Sequence, residues 1–401
     1  MSTPDICLIS PYPPRGERHG GHSGVASYTA HLAHALAGEG ADVAVVAPRL
    51  DGEPERAADG PVAVHRRFTM GGASALPAAA LAAAATGAPS VHLQHETFLY
   101  GGPAHVAGLV PALAALRARR GTVVTMHHVV DPATVDADFV ALHRVSAPVP
   151  LARAGLAAVR TSIRRLADAV VVHEPGFQPV VDGSRVVPHG VERGPAAGAR
   201  AAAWRERWGL DDGRLVVLCF GFVAPYKGID RVLAAGRLAR EDVHVVVAGG
   251  EHPRMAGPGG YADELRAAHG DHATFTGRVD DVDVAACFQT ADVAAFLYPQ
   301  PVGTSGALAL ALGHRTPILV SRELAGNAGV PDALVAPADD AALAARLRHL
   351  AGDRLAREAL SDVADELLDG RTWPAVARTH LEMYEEVAHA DRSARRRLRA
   401  A

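Results

Sequence analysis

The run Leu215–Phe220 (LVVLCF) constrains this chain more than any other stretch. It is apolar without a break, so it lacks the alternation of a half-buried antiparallel strand. It reads instead as a strand buried on both faces, the kind found in parallel sheets covered by helices. The run ends in Gly221, and Lys227 and Gly228 follow after a short turn. Open parallel sheets bind ligands outside the carboxyl ends of their strands. Lys227 is therefore a cation placed where a phosphate would bind. A lone lysine after a strand is more often a solvated surface residue, so the reading depends on what else the chain brings to that edge.

The same pattern recurs along the chain. Strand candidates in the first half are Ile6–Ser10, Asp42–Ala47, Val62–His65, Ser90–Gln94, Thr122–Met126 and Ala169–His173. In the second half they are Leu215–Phe220, His244–Ala248, Ala273–Thr276, Val293–Leu297 and Pro317–Val320. Helical patterns fill most of the gaps, which predicts an α/β chain with a parallel, helix-flanked sheet in each half. At 401 residues the chain exceeds one ordinary core, and two domains follow. The Gly- and Ala-rich segment Gly190–Arg200 reads as the linker. The expected architecture is two Rossmann-like, doubly wound domains facing a cleft, spanning 1–195 and 201–372.

Composition narrows the partners. The 40 Lys+Arg nearly balance 44 Asp+Glu, so neither nucleic acid nor an anionic membrane is expected as the main partner. Cys7, Cys219 and Cys287 are isolated and apolar in context, without zinc-site spacing or an even count. A reducing cytoplasm is the expected compartment. Ile6–Ile9 lacks a basic leader and is too short for a signal core. The Ala-rich stretch Ala73–Ala88 is broken by Pro77 and Gly87 and falls short of the roughly 20 residues a membrane span needs. It reads as a helix, or a helix pair, packed on the sheet. The tail carries Arg392, Arg395, Arg396, Arg397 and Arg399. It reads as a frayed, solvated end, with weak contact to membrane phosphates as the second option.

Three constellations carry chemistry. After the first strand comes a Pro-rich loop, then Gly20, Gly21, Ser23 and Gly24 before a helix. Glycines let backbone N–H groups approach an anion, and the helix N-terminus favours negative charge. The spacing is not GxGxxG, and no acidic residue suited to a ribose closes the second strand, so a plain dinucleotide fold is disfavoured. A loop that merely makes the turn is the bland alternative. Next, His92, His95, Glu96, His127 and His128 give the first half an imidazole-rich rim. His92 and His95 are an odd number apart on a strand and point to opposite faces, as do His127 and His128. No metal site is expected, and neutral hydrogen-bonding histidines are the preferred reading. The third constellation, Tyr298 to Gly306, places Thr304, Ser305 and Gly306 before an apolar helix. Those residues could hold an anion or simply cap the helix.

Taken together and in order, these segments resemble the retaining family-4 glycosyltransferases of GT-B fold. The segments are the Gly-Gly loop, VTMHH, VVPHGVE, GFVAPYKGIDRVL, VVVAGG, FTGRV and TSGALALALGHRTPILVS. The resemblance spans almost the whole chain, and VHLQHETFLYGG resembles a bacterial subgroup. It implies Gly20 and Gly21 beside the donor phosphates and Lys227 on the donor diphosphate. Arg278 and Val279 would lie at the nucleobase, and Thr304, Ser305 and Gly306 at sugar or phosphate. His127, with Lys227, would be catalytic and contact the transferred sugar. His95, Glu96 and His128 would lie on the acceptor side. Trp373 and a last helix at about 373–401 would complete the first domain.

Two features depart from the family. Phe222 stands where an arginine is usual, five residues before the lysine. The usual Glu-x7-Glu pair would fall near Val302 and Leu310, and neither is acidic. The resemblance implies transfer of a sugar from a GDP- or UDP-linked donor to a small-molecule or glycan acceptor, with retention and without metal or other cofactor. The alternatives are another GT-B enzyme, inverting or epimerising, and a catalytically degenerate partner protein.

Overall fold

The computed structural model describes residues 3–17, 23–97, 99–101, 104–142, 145–251, 259–300 and 303–400. The chain divides into two compact units. The first comprises Met1–Gly190, Val302–Thr304 and Trp373–Ala401; the second comprises Val191–Pro301 and Ser305–Thr372.

In the first unit the strands are β1 (Ile6–Ile9), β2 (Val43–Pro48), β3 (Arg56–Asp59), β4 (Val62–Phe68), β5 (Ser90–His95), β6 (Gly121–Met126), β7 (Ala169–Val172) and β8 (Arg185–Val186). They form one sheet in the order β3-β4-β2-β1-β5-β6-β7-β8. All neighbours pair in parallel except β3 and β4, which are antiparallel. The expectation of a purely parallel sheet is corrected at this edge. The sequence of β3, RAAD, carries no apolar alternation, and no residue of it is buried, so it leaves no strand signal. It pairs because Gly60-Pro61 turns the chain back, with Gly60 at φ +56 as two-residue hairpins require.

Strand residues of the first sheet divide between its faces with a period of two. Ile6, Leu8, Val43, Val45, Val123 and Val171 pack against the helix Gly24–Gly38 and the last helix, Trp373–Ala400. Cys7, Ile9, Val91, Leu93, Val124 and Val172 pack instead against the helices Ala75–Ala85, Ala104–Arg117 and Val149–Leu166. Full burial of side chains such as Leu8 and Leu93 contributes roughly 1.5–3 kcal/mol each, and a one-residue slip in register would expose them all. The Ala-rich stretch forms a packed helix as expected. The tail differs from expectation, because its backbone stays helical to Ala400 rather than fraying.

In the second unit, β9 (Leu215–Phe220), β10 (Val243–Ala248), β11 (Ala273–Gly277), β12 (Val293–Phe296) and β13 (Ile318–Val320) make a wholly parallel sheet. The order is β11-β10-β9-β12-β13. The apolar run Leu215–Phe220 is thus the central strand, buried from Leu215 to Cys219. Chain order runs outward from β9 to one side and resumes at β12 on the other. That reversal makes the carboxyl ends of β9 and β12 the switch point at which such sheets bind ligands. Lys227 follows the first of these strands and Tyr298 the second. Among the described residues, no helix is long and apolar enough to cross a membrane. The three cysteines are free and buried, and burial pushes the Cys7 and Cys219 thiols up to about 12, which leaves them unreactive as nucleophiles.

Candidate functional site

Lys227 ends a short turn, Pro225–Lys227, and Gly228 leads into the helix Ile229–Leu238 at φ +62. A Cβ on Gly228 would lie 2.0 Å from the Leu297 carbonyl oxygen, so only glycine brings the chain this close to the end of β12. A Cβ on Gly249 would lie 1.8 Å from the Gly221 carbonyl oxygen, which locks the ends of β9 and β10 together in the same way. On this rigid edge the Lys227 ammonium donates to the Tyr298 hydroxyl at 2.8 Å and lies 4.3 Å from the Tyr298 ring centre. Burial alone would lower the lysine, but contact with Tyr298 and Tyr226 outweighs it and the ammonium is raised above its ordinary value. The cation is firmly charged.

Tyr298 also meets Ser305, with Oη to Oγ at 2.8 Å. Ser305 caps the helix Gly306–Gly313, its Oγ accepting from the Leu308 N–H at 3.2 Å. One buried tyrosine therefore joins a lysine cation to the N-cap of an apolar helix whose first residue, Gly306, is exposed. Positive charge, an exposed helix N-terminus and a hydroxyl together make a site for an anion. Arg278 and Val279 follow β11, with Arg278 exposed and its Cβ 3.7 Å from where a side chain on Gly250 would begin. Phe222, in place of the expected arginine, follows β9 and is 50% exposed. Leu310 lies in the helix Gly306–Gly313, while Val302 lies outside the described residues.

The first unit holds a second constellation, on the sheet face covered by the last helix. Tyr384 of that helix meets His92 Nδ1 at 2.6 Å, and His92 Nε2 meets Thr125 Oγ1 at 2.7 Å. The Gln94 amide lies between His92 Nε2, 3.3 Å away, and His127 Nε2, 2.8 Å away. His127 Nδ1 meets His173 Nε2 at 3.2 Å, and His173 Nδ1 meets the Val187 carbonyl at 2.8 Å. His92, Gln94, Thr125 and His127 share a face because they are two apart on neighbouring strands. His95, one residue off that period, falls on the other face with Val91 and Leu93, and Glu96 is half-buried just beyond it. His128 bridges to Gly303.

A proton count settles the state of this chain of rings. The Val187 carbonyl must accept, so His173 carries its proton on Nδ1 and His127 donates from Nδ1. A Gln94 oxygen facing His127 Nε2 would then demand a third proton where two neutral rings hold two. Burial pushes His127 and His92 well below the ordinary histidine range, so the rings are neutral. The consistent arrangement turns the Gln94 amide by half a rotation, its NH2 donating to His127 Nε2. Both ring nitrogens of His127 are thereby occupied inside the protein.

A third element supports the loop after β1. Arg66 of β4 is 2% exposed. It donates to the carbonyls of Tyr12 (3.3 Å), Pro13 (2.7 Å) and Pro48 (3.4 Å), with Glu53 at 3.7 Å. It anchors the segment that leads towards Gly20 and Gly21, which themselves lie outside the described residues. Among the described residues no cluster suited to a metal ion is found.

Of the expected site residues, the structure brings Lys227 and Ser305 together through Tyr298, and sets Gly306 beside them. Thr304 groups with the first unit, Ser305 and Gly306 with the second. Sequence reasoning missed Tyr298, Gln94, Thr125, His173 and Arg66 as site residues. For Gln94 and Thr125 the period-two spacing with His92 and His127 was an available signal; Tyr298 stood at the head of the third constellation with nothing to pair it with Lys227, and Arg66 had no signal.

Residues 214–353 match the family model described as glycosyl transferases group 1. No curated protein matches the chain. Among solved structures, a sucrose-phosphate synthase from Thermosynechococcus elongatus aligns with TM-score 0.71 at 19% identity, covering 96% of this chain and 99% of that one. HepE from Anabaena, solved in complex with UDP-glucose, aligns with TM-score 0.65 at 15% identity over 95% and 99%. WaaG, a glycosyltransferase involved in lipopolysaccharide biosynthesis, aligns with TM-score 0.61 at 15% identity over 94% and 99%. The chain therefore has the GT-B fold of two Rossmann-like domains, and its second unit carries a glycosyl transferases group 1 domain.

Proposed function

We propose that this chain transfers a sugar from a nucleotide-diphosphate donor to an acceptor with retention of anomeric configuration and without a metal. The observation that carries the reading is the Lys227–Tyr298–Ser305 cluster at the switch point of the sheet, inside the segment matched as a glycosyl transferases domain. As the sugar leaves, negative charge grows on the diphosphate, and donors already aimed at it stabilise the transition state. Lys227, the Ser305 hydroxyl and the backbone N–H groups near Gly306 would do this, with Arg278 and Val279 at the base. His127 has no ring nitrogen to spare for proton transfer. That suits front-face attack, in which the leaving phosphate takes the acceptor's proton. The complex of HepE with UDP-glucose makes a UDP-sugar the first donor to try.

The test incubates the full chain with UDP- and GDP-sugars and an acceptor panel, with and without EDTA. Product anomeric configuration is read by proton NMR. An α-linked product from an α-linked donor, unaffected by EDTA, is expected. An inverted product would end the retaining reading, and loss of turnover in EDTA would end metal independence. Failure to bind any nucleoside diphosphate would favour a partner role.

A further inference from the structure

We propose that Tyr298 is a positioning residue whose hydroxyl holds Lys227 and Ser305 in one anion-binding geometry for a nucleoside diphosphate. The inference rests on the reading of Lys227 as the diphosphate cation. Tyr298 is 5% exposed and is held at both ends. Its carbonyl accepts from Ser321 Oγ at 2.6 Å, and Ser321 in turn caps the helix Arg322–Ala328 through the Leu324 N–H at 3.1 Å. Its hydroxyl lies 2.8 Å from both Lys227 Nζ and Ser305 Oγ. The tyrosine is thus strapped between the starts of two helices, with little freedom to move.

The hydrogen count gives the strap a direction. An ammonium has only donors, so the Tyr298 oxygen accepts from Lys227. Its own hydrogen then goes to Ser305 Oγ, which also accepts from Leu308 N–H. These bonds leave the Ser305 hydrogen and two ammonium hydrogens of Lys227 uncommitted. Three donors from residues 78 apart at their extremes (305 − 227) are thereby aligned by one phenol oxygen. Without it the flexible lysine stem would have to be ordered by the ligand, which costs binding free energy. This chain lacks the family's arginine, at Phe222, and its acidic pair, near Val302 and Leu310, so the alignment of its one lysine matters more.

The test is calorimetry of UDP and GDP binding to the full chain, wild type against Tyr298→Phe and Lys227→Ala, with circular dichroism to follow folding. Tyr298→Phe keeps the ring and removes the hydroxyl. It should weaken diphosphate binding about tenfold, the worth of one hydrogen bond to a charged group. It should also move the alkaline loss of binding to lower pH, because Lys227 loses the contact that raises it. A side chain with a merely structural role would leave that alkaline limb in place. Wild-type affinity and an unmoved limb in Tyr298→Phe, with binding lost in Lys227→Ala, would overturn the positioning role alone. Wild-type affinity in Lys227→Ala, or no binding of either nucleotide by the wild type, would overturn the reading beneath it. Should Tyr298→Phe fail to fold, Ser305→Ala removes the hydroxyl to which the Tyr298 hydrogen is directed, and wild-type affinity for UDP and GDP in that variant would equally refute the proposal.

Discussion

Acid should loosen the first unit through His380. This residue of the last helix is fully buried, with Nδ1 bound to the Val376 carbonyl at 2.8 Å and the His92 and Tyr384 rings centred 5.5 and 5.9 Å away. Burial lowers it from 6.5 to about 4. The sign follows from linkage: the unfolded chain takes the proton first, so stability present above about pH 6.5 is lost as pH falls and levels off below about 4. At about 1.4 kcal/mol per pH unit, that interval corresponds to about 3 kcal/mol. His92 and His127 are pushed down by the same cause, so the slope should exceed one proton. Asp212, held at about 2 chiefly by its hydrogen bond from Arg214, titrates below this window. The assay is reversible urea unfolding followed by circular dichroism at steps from about pH 7.5 to about pH 4.5, on wild type and His380→Gln. The wild-type midpoint should fall with pH, and the gap to the variant should narrow by about 3 kcal/mol. Identical pH slopes in the two proteins would mean that His380 protonates freely in the fold, and the argument from burial would fail.

Two further perturbations probe the scaffold. Gly228→Ala places a Cβ against the Leu297 carbonyl at a positive φ, so the strain alone should cost about 1–2 kcal/mol and carry Lys227 out of register; an unchanged melting midpoint with unchanged UDP and GDP binding would contradict it. Arg66→Met leaves three buried carbonyls and Glu53 without their donor, which should destabilise by roughly 3–5 kcal/mol and hasten proteolysis within residues 11–17; equal cleavage rates would show that the loop is held by other means.

The sequence by itself determined the fold class and the placement of nearly every strand, and it put Lys227 just past the end of the central one. Those properties are local: an apolar run such as Leu215–Phe220 must be covered on both faces wherever it sits, and Gly228 beside Lys227 marks a turn whatever surrounds it. It could not determine strand β3, whose residues carry no periodic signal and pair only because a turn returns them to β4. Nor could it supply the partners of the functional side chains. Tyr298 reaches Lys227 across 71 positions because β12 lies beside β9, and Tyr384 reaches His92 across 292 because the last helix covers that face of the first sheet. Such meetings depend on strand order and register, which follow from the best joint burial of the whole chain. The lysine was legible in one dimension. The tyrosine that holds it was decided only in three.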